Sequence, residues 1–226
     1  MTRHIIRFLE EPDRTQSIVD LLGRADAIES LRALPSAERP DALVREYCKS
    51  LHTLANFEYV SSAAIFDPDK DEIRYYLVYG TNHHRGIEVF KSAEATAARL
   101  QDTIRHEASK RKAGGQDDMF GQMFGEGVPT SKFAFHQWEK YCEKAKRKVV
   151  ERLLASPTGV AYTKLFCDAM AFPLVTTQVL QGWLEQWEKA KWIEFRLDEP
   201  SRKKPSPDHK DFIVVLAPDK LRRSIS

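Results

Sequence analysis

The chain has 226 residues, 42% of them hydrophobic and 30% charged, with a formal net charge of +2. This length and hydrophobic share allow one domain or two small ones, each with a real core. No apolar run approaches the roughly 20 residues that a membrane span requires, and the opening MTRHIIRFLEEPDR lacks the pattern of a secretory signal. We therefore expect a soluble, cytoplasmic protein with no membrane segment.

The first elements along the chain are two helical regions and a strand pair. Apolar spacing predicts a helix over residues 15–34, interrupted at Gly23, and a second helix over residues 37–55. FEYVSSAAIF and IRYYLVYGT then read as strands. Since DPDKDE between them has the composition of a tight turn, the sequence predicts an antiparallel hairpin.

A long polar helix follows the hairpin, with Asn82 as its expected cap. Its narrow apolar side consists of Ile87, Phe90, Ala97, Leu100 and Ile104. The next stretch, AGGQDDMFGQMFGEGVPTSKF, breaks all periodicity with glycines and a proline. We expect a first domain over residues 1–112, a flexible linker over 113–131 and a second domain over 132–226.

The second domain has the pattern of a winged helix. Two amphipathic runs, KRKVVERLLA and YTKLFCDAMAF, precede a third, TTQVLQGWLEQWEKAKWI. The third run has a wide apolar stripe formed by Val179, Leu180, Trp183, Leu184 and Trp187. Two short apolar strands then flank a basic, proline-broken hairpin loop. This order predicts a C-terminal winged helix-turn-helix.

The polar residues of this domain predict contact with nucleic acid. A helix with a polar outer face beside a cationic hairpin is how such modules address a duplex. Thr176 or Thr177 would cap the third helix, while Gln178 and Gln181 would reach base edges. Four cations of the hairpin would neutralise phosphates: Arg202, Lys203, Lys204 and Lys210.

The charge distribution agrees with this prediction. Residues 129–226 hold 18 basic and 12 acidic residues, a net charge of +6, whereas residues 1–128 have a net charge of −4. The C-terminal part is therefore the better candidate for binding a polyanion, with duplex DNA favoured and RNA left open. Winged helices also serve as dimerisation or protein-docking modules, so this alternative stays open.

Catalytic and metal-binding motifs are not evident. The first half has no glycine-rich phosphate loop, no H-E-x-x-H and no serine elbow. The three cysteines are odd in number and far apart, and the adjacent His83 and His84 have no partner one turn away. We expect reduced, buried thiols and no metal site.

The run from about Ile5 to Lys91, above all YYLVYGTNHHRGIEVFKSA preceded by FEYVSSAAIF, resembles the C-terminal half of the three-Cys-motif partner (TcmP) family. Members of that family are Rossmann-type, S-adenosylmethionine-dependent methyltransferases of bacterial and mobile-element genomes. They occur beside a partner that carries a three-cysteine motif, and they can carry a C-terminal winged helix.

The resemblance implies a fold in two parts, helix-rich overall: an α/β remnant resembling the C-terminal half of such a methyltransferase, then the winged helix. The cofactor-binding glycine loop belongs to strands that this sequence does not supply, so no cofactor-binding or catalytic residue is carried over. S-adenosylmethionine is expected only if another polypeptide completes the domain. The leading hypothesis is a nucleic-acid-binding protein. The alternatives are a methyltransferase subunit completed by another chain and a protein-interaction or dimerisation module.

Overall fold

The computed structural model describes residues 11–112, 131–156 and 158–225. The chain divides into two compact units, Met1–Ile87 and Glu88–Ser226. No helix within the described ranges is both long and apolar enough to cross a membrane. The described elements are, in chain order, α1 (Pro12–Leu22), α2 (Asp26–Ala33), α3 (Arg39–Leu54), β1 (Tyr59–Phe66), β2 (Ile73–Thr81), α4 (His84–Lys112), α5 (Lys132–Leu154), β3 (Val160–Ala161), α6 (Tyr162–Met170), α7 (Thr177–Lys189), β4 (Ile193–Arg196), β5 (Phe212–Val215) and α8 (Pro218–Arg223).

The first unit begins with three short helices that share a core. The predicted interruption at Gly23 is confirmed, because α1 ends there and α2 follows. Gly23 has a φ of +65°, a left-handed conformation that favours glycine, and its N–H donates to the Val19 carbonyl oxygen at 2.6 Å. The reversal packs the helices onto one cluster of buried side chains: Ile18, Leu22, Ala27, Ile28, Leu31, Ala42 and Leu43.

The predicted antiparallel hairpin is confirmed, with Tyr59 opposite Thr81 and Phe66 opposite Ile73. Its connection is a turn in which the Asp67 carboxylate accepts the backbone N–H groups of Asp69 and Lys70 at 3.0 and 3.1 Å. The N–H of Asp69 is the main cause that holds the pKa of Asp67 below its ordinary value.

Asn82 has a different role from the one predicted. Its side-chain oxygen accepts the backbone N–H of Glu58 at 3.0 Å, so it joins the two ends of the hairpin instead of capping α4. The neighbouring His84 is buried and lies edge-on to Tyr59, with ring centroids 6.3 Å apart. Among the described residues no group of histidines, cysteines and carboxylates is arranged to hold a metal ion.

The second unit contains a small sheet and the helices around it. The strand order is β3–β5–β4, and both pairs are antiparallel. β3 lies between α5 and α6 in sequence, so the element order after residue 131 is helix, strand, two helices, strand, long loop, strand and a short final helix. The core is formed by fully buried side chains, the largest being Trp187, Tyr141, Tyr162, Phe166, Leu153 and Leu165.

The boundary between the units falls inside α4, after Ile87. The sequence had indicated a boundary in the glycine-rich stretch. Lys91 and Glu94 of α4 bond to the backbone at Phe172 and Leu174, which places this helix with the second unit from Glu88 onward. The expected linker residues 113–130, including Met119, Phe120, Met123 and Phe124, lie outside the described residues.

The apolar side predicted for α4 is only partly buried. Ile87 is 1% exposed, but Leu100 and Ile104 are 61% and 51% exposed. Several inward positions are polar, because Lys91 and Asp102 bind backbone groups that need hydrogen bonds, while Ile87 and Ala98 are buried apolar residues of the same side. The Asp102 carboxylate accepts the backbone N–H of Ser131 at 2.9 Å, at the residue that caps α5.

The left-handed conformation of Gly23 generates a first prediction. Gly23→Ala should destabilise the first unit by about 1 kcal/mol, because a β-carbon is strained at positive φ. The matched control is Gly182→Ala on α7, where nothing lies within 4 Å of an added β-carbon. This control should gain about 1 kcal/mol from helix propensity. Urea unfolding followed by circular dichroism measures both, and equal signs for the two changes would contradict the assignment.

Candidate nucleic-acid interface

The turn before α7 is fixed by a buried ion pair. Lys91 Nζ lies 2.8 Å from Glu94 Oε2 and donates to the Phe172 carbonyl oxygen at 2.6 Å. Glu94 Oε1 accepts the N–H of Leu174 at 2.9 Å, and Leu174 adopts a φ of +61°. A buried pair whose remaining hydrogen-bonding capacity is used by backbone groups holds a single geometry. The start of α7 therefore has a defined position within the second unit.

The apolar stripe of α7 is confirmed at its centre. Leu180, Leu184 and Trp187 are at most 1% exposed and pack into the core of the unit. The opposite face presents Gln178, which is exposed, and Glu185, whose side chain is 44% exposed. The helix therefore presents a polar face to solvent, as the spacing predicted.

Gly182 lies in the middle of this outer face, one turn from Gln178. Nothing lies within 4 Å of a β-carbon built at this position. Glycine costs a helix about 1 kcal/mol relative to alanine, and here no neighbouring atom of the protein requires it. A glycine on a binding face lets the backbone approach a ligand closely. Gly182 was not among the site residues predicted from the sequence, although the sequence places it one helical turn after Gln178.

Thr176 and Thr177 occupy the predicted start of α7 but make no side-chain cap. Thr176 is the residue that precedes the helix, with an extended backbone, and its hydroxyl accepts no capping hydrogen bond. The Thr177 hydroxyl is instead 4.0 Å from the sulfur of Met170. The first N–H groups of α7 are therefore not capped by these threonine side chains, contrary to the sequence argument.

Gln181 is half-buried and its side chain is directed toward Tyr162. Burial raises the pKa of Tyr162 to about 12, and the nearby Gln181 side chain acts in the opposite direction. Among the described residues the fully buried Tyr162 hydroxyl has no hydrogen-bond partner of standard geometry. Gln181 is thus less available to a ligand than Gln178.

The loop between β4 and β5, residues 197–211, is organised around one buried carboxylate. We call this loop the wing loop. Asp211 is 1% exposed, and its oxygens accept the backbone N–H groups of Asp198 at 3.1 Å and Ser206 at 2.8 Å. Arg202 donates to both of its oxygens, at 3.2 and 2.9 Å. One side chain therefore ties together the start, the middle and the end of the wing loop.

The sequence predicted that Arg202 contacts a phosphate. The structure shows its guanidinium bound to carboxylates of the wing loop instead. Its side chain is 18% exposed and also donates to Asp198 and to the Lys204 carbonyl oxygen. A guanidinium that makes bidentate bonds to a buried carboxylate has its charge compensated within the protein. Its role is to hold the shape of the wing loop.

The wing-loop lysines are exposed, as expected. Lys203, Lys204 and Lys210 all lie at the protein surface. Lys204 Nζ is 2.5 Å from Glu185 Oε1 on α7, with side-chain exposures of 56% and 44%. Exposed pairs of this kind contribute about 0–1 kcal/mol and exchange readily. The pair nevertheless places the wing loop and the outer face of α7 on one surface.

Asp198 completes the wing loop from the outside. Its carboxylate accepts the Lys210 N–H at 3.1 Å and lies 3.3 Å from His209 Nδ1. Desolvation acts to raise the pKa of Asp198, but the Lys210 N–H and the charges of His209 and Arg202 outweigh it, so the pKa lies below its ordinary value.

A groove of about 680 Å³ adjoins the first turn of α7. One wall is α4, the second is the segment from Thr176 to Val179, and Trp138 of α5 contributes an aromatic ring. Ser92 and Arg99 of α4 add polar groups beside the exposed Gln178. The groove therefore extends the polar surface of α7 toward α4.

The comparisons with known proteins give no relatives. The chain matches no protein-family model, and neither a curated protein nor a solved structure is significantly similar to it.

The arrangement around Asp211 predicts a large effect of a small change. Asp211→Asn should destabilise the second unit by about 3 kcal/mol, because it leaves Arg202 without its buried charge partner. Glu199→Gln, in the same loop but exposed, removes the same charge and should change stability by less than about 0.5 kcal/mol. Urea unfolding measures the difference, and equal effects at the two sites would refute the role given to Asp211.

Proposed function

We propose that residues 132–225 form a winged helix that binds duplex nucleic acid, with α7 in the major groove and the wing loop on the phosphate backbone. The order of helices and strands in the second unit supports this proposal, as does the β3–β5–β4 order of its sheet. Helix-turn-helix modules place the second helix of the motif in the groove. In this chain α6 and α7 are those two helices.

The observation that carries the proposal is the shared surface of α7 and the wing loop. The Lys204–Glu185 pair joins the two, so Lys204 lies beside the face of α7 that also carries Gln178 and Gly182. Amide side chains contact base edges and lysines contact phosphates. Together the two elements supply both kinds of contact that a duplex requires.

The individual roles follow from exposure. Gln178 is the foremost candidate for a base-edge contact, with Gln181 behind it, and Gly182 allows the helix backbone to approach the groove. Thr176 and Thr177 lie where the first turn of α7 would meet a phosphate. Lys203, Lys204 and Lys210 contact the backbone, and Arg202 maintains the loop from within.

The relation to TcmP-type methyltransferases is part of the same proposal. The antiparallel β1–β2 hairpin, with α3 before it and α4 after it, is compatible with the last part of such a domain. In this proposal S-adenosylmethionine chemistry requires a second polypeptide, and a protein with a three-cysteine motif is the candidate partner.

We propose a cytoplasmic location on the state of the thiols. Cys48, Cys142 and Cys167 are not joined by disulfides, and the first two are buried. Burial, with smaller effects from Glu139 and Glu143, raises the pKa of Cys142 to about 12. Unreactive reduced thiols suit a reducing compartment.

A salt series tests the proposal. Each lysine that contacts a phosphate adds about 0.9 to the slope of log K against log salt concentration. Replacing Lys203, Lys204 and Lys210 by alanine should therefore lower the slope by about 2.7, as measured by fluorescence anisotropy with a labelled duplex. The control replaces Lys49, Arg74 and Arg85, three exposed cations of the first unit. Equal slopes for both triple variants, or no binding by the parent protein, would reject the proposal.

Gln178 provides a test of base readout. Gln178→Ala should reduce discrimination at one base pair by about 1–3 kcal/mol while leaving binding to unrelated duplexes nearly unchanged. Gln186→Ala is the control, because Gln186 is also exposed on α7 but lies to one side of the outer face. Selection from a randomised duplex pool reads out preference at every position. An unaltered preference in Gln178→Ala would remove α7 from the groove.

A further inference from the structure

The groove between α4 and the first turn of α7 has two polar walls. The wall on α4 carries Ser92 and Arg99, and the wall on α7 carries Thr176, Thr177 and Gln178. Ser92, Arg99 and Gln178 are exposed to solvent. Hydroxyl, amide and guanidinium groups are side-chain groups that contact the phosphate and sugar oxygens of nucleic acid. Each wall therefore offers groups that suit the backbone of a nucleic-acid strand.

Small side chains of α4 keep the groove open. Ala95 and Ala98 are among its lining residues, together with Trp138 of α5. The groove volume of about 680 Å³ lies within the range of roughly 300–1,000 Å³ that is usual for ligand sites. Ala95 is half-buried, so a longer side chain at this position would project into the groove. The groove therefore has room for a sugar-phosphate segment.

The charges that line the groove lie at different places along it. Lys91 and Glu94 are 2.8 Å apart and compensate each other. Among the described lining residues this leaves Glu88 and Arg99, which are eleven residues or about 16 Å apart along α4. This separation exceeds the Debye length of about 8 Å at physiological salt, so the two charges act on a ligand separately. An anion is therefore attracted at the Arg99 end of the groove and repelled at the Glu88 end.

We propose that the Arg99 end of this groove binds the sugar-phosphate backbone of a nucleic-acid strand, with the Arg99 guanidinium on a phosphate. The inference rests on the proposed function of the second unit, because Gln178 belongs both to the groove and to the surface proposed for the duplex. A helix in the major groove lies between two phosphate backbones, and α4 borders α7 on the side where one of them passes.

Arg99 thereby adds a phosphate contact from outside residues 132–225, the part of the chain that carries α7 and the wing loop. Glu88 limits how far the strand extends along the groove, because its carboxylate repels phosphates. The two charges fix where the backbone crosses α4, so they position the duplex relative to Gln178.

Duplex binding by the full chain, measured by fluorescence anisotropy over a salt series, tests the inference. Arg99→Ala should weaken binding and lower the slope of log K against log salt concentration by about 0.9, the value of one phosphate contact. Glu88→Gln should tighten binding about twofold, because it removes a repulsive surface charge. Arg147→Ala is the matched control and should keep the slope of the parent protein. Arg147 is exposed on α5 and lies nine residues, or about two and a half turns, from Trp138, on the opposite side of that helix.

A steric test leaves the charges unchanged. Ala95→Leu places a larger side chain in the groove and should also lower the slope by about 0.9, because the strand no longer reaches Arg99. Adding Arg99→Ala to this variant should then cause no further change, since both substitutions remove the same contact. Ala93→Leu is the control, because Ala93 is exposed on α4 and is not among the residues that line the groove. It should bind the duplex like the parent protein, and circular dichroism should be the same for both leucine variants.

Titration with a mononucleotide separates the two sources from which a phosphate could come. The proposal predicts no saturable binding at millimolar concentration, and saturable binding of the free mononucleotide in the groove would overturn it. Duplex binding that depends on Lys203, Lys204 and Lys210 but is unchanged by Arg99→Ala and Ala95→Leu would overturn this inference alone. No duplex binding by the parent protein would overturn the proposed function and this inference with it.

Discussion

The Asp211 carboxylate is the contact on which the candidate interface depends. It lies buried at the end of β4–β5 pairing and binds the Arg202 guanidinium and two backbone N–H groups. A loop of fifteen residues would otherwise have many conformations, because an unpaired segment of this length retains its backbone entropy. The buried acid removes that freedom, and Lys204 then remains beside the outer face of α7.

A second polar cluster fixes the position of the N-terminal end of α7. Lys91 and Glu94 of α4 bind the backbone of the turn that precedes α7, so both ends of the candidate surface are held by buried charges. Breaking such pairs costs more than forming them contributes, which favours one defined geometry. The same cluster explains why charged residues lie on the buried side of α4.

Periodicity was sufficient for α1 to α4, for α6 and α7 and for the first hairpin, but α5 begins at Lys132, before the predicted run KRKVVERLLA, and α8 was not predicted. The break at Gly23, the β1–β2 pairing and the buried stripe of α7 follow from spacing and turn residues, which are local properties. The functions of Arg202 and of the α4 charges did not follow, because composition does not distinguish a lysine or arginine in solvent from one that binds a buried acid. Asp211 is nine residues from Arg202, and α4 is about eighty residues from the turn it holds. Both contacts are set by packing, and β3, with two residues, is too short to predict.

The central claim is that α7 and the wing loop form one surface for a duplex. Hydrogen–deuterium exchange of the full chain with and without duplex DNA tests it most directly. The account predicts slower exchange at residues 176–186 and 197–211 in the bound state, with little change in α1, α2 and the β1–β2 hairpin. Binding with protection confined to the first unit, or with unchanged exchange in both α7 and the wing loop, would contradict it.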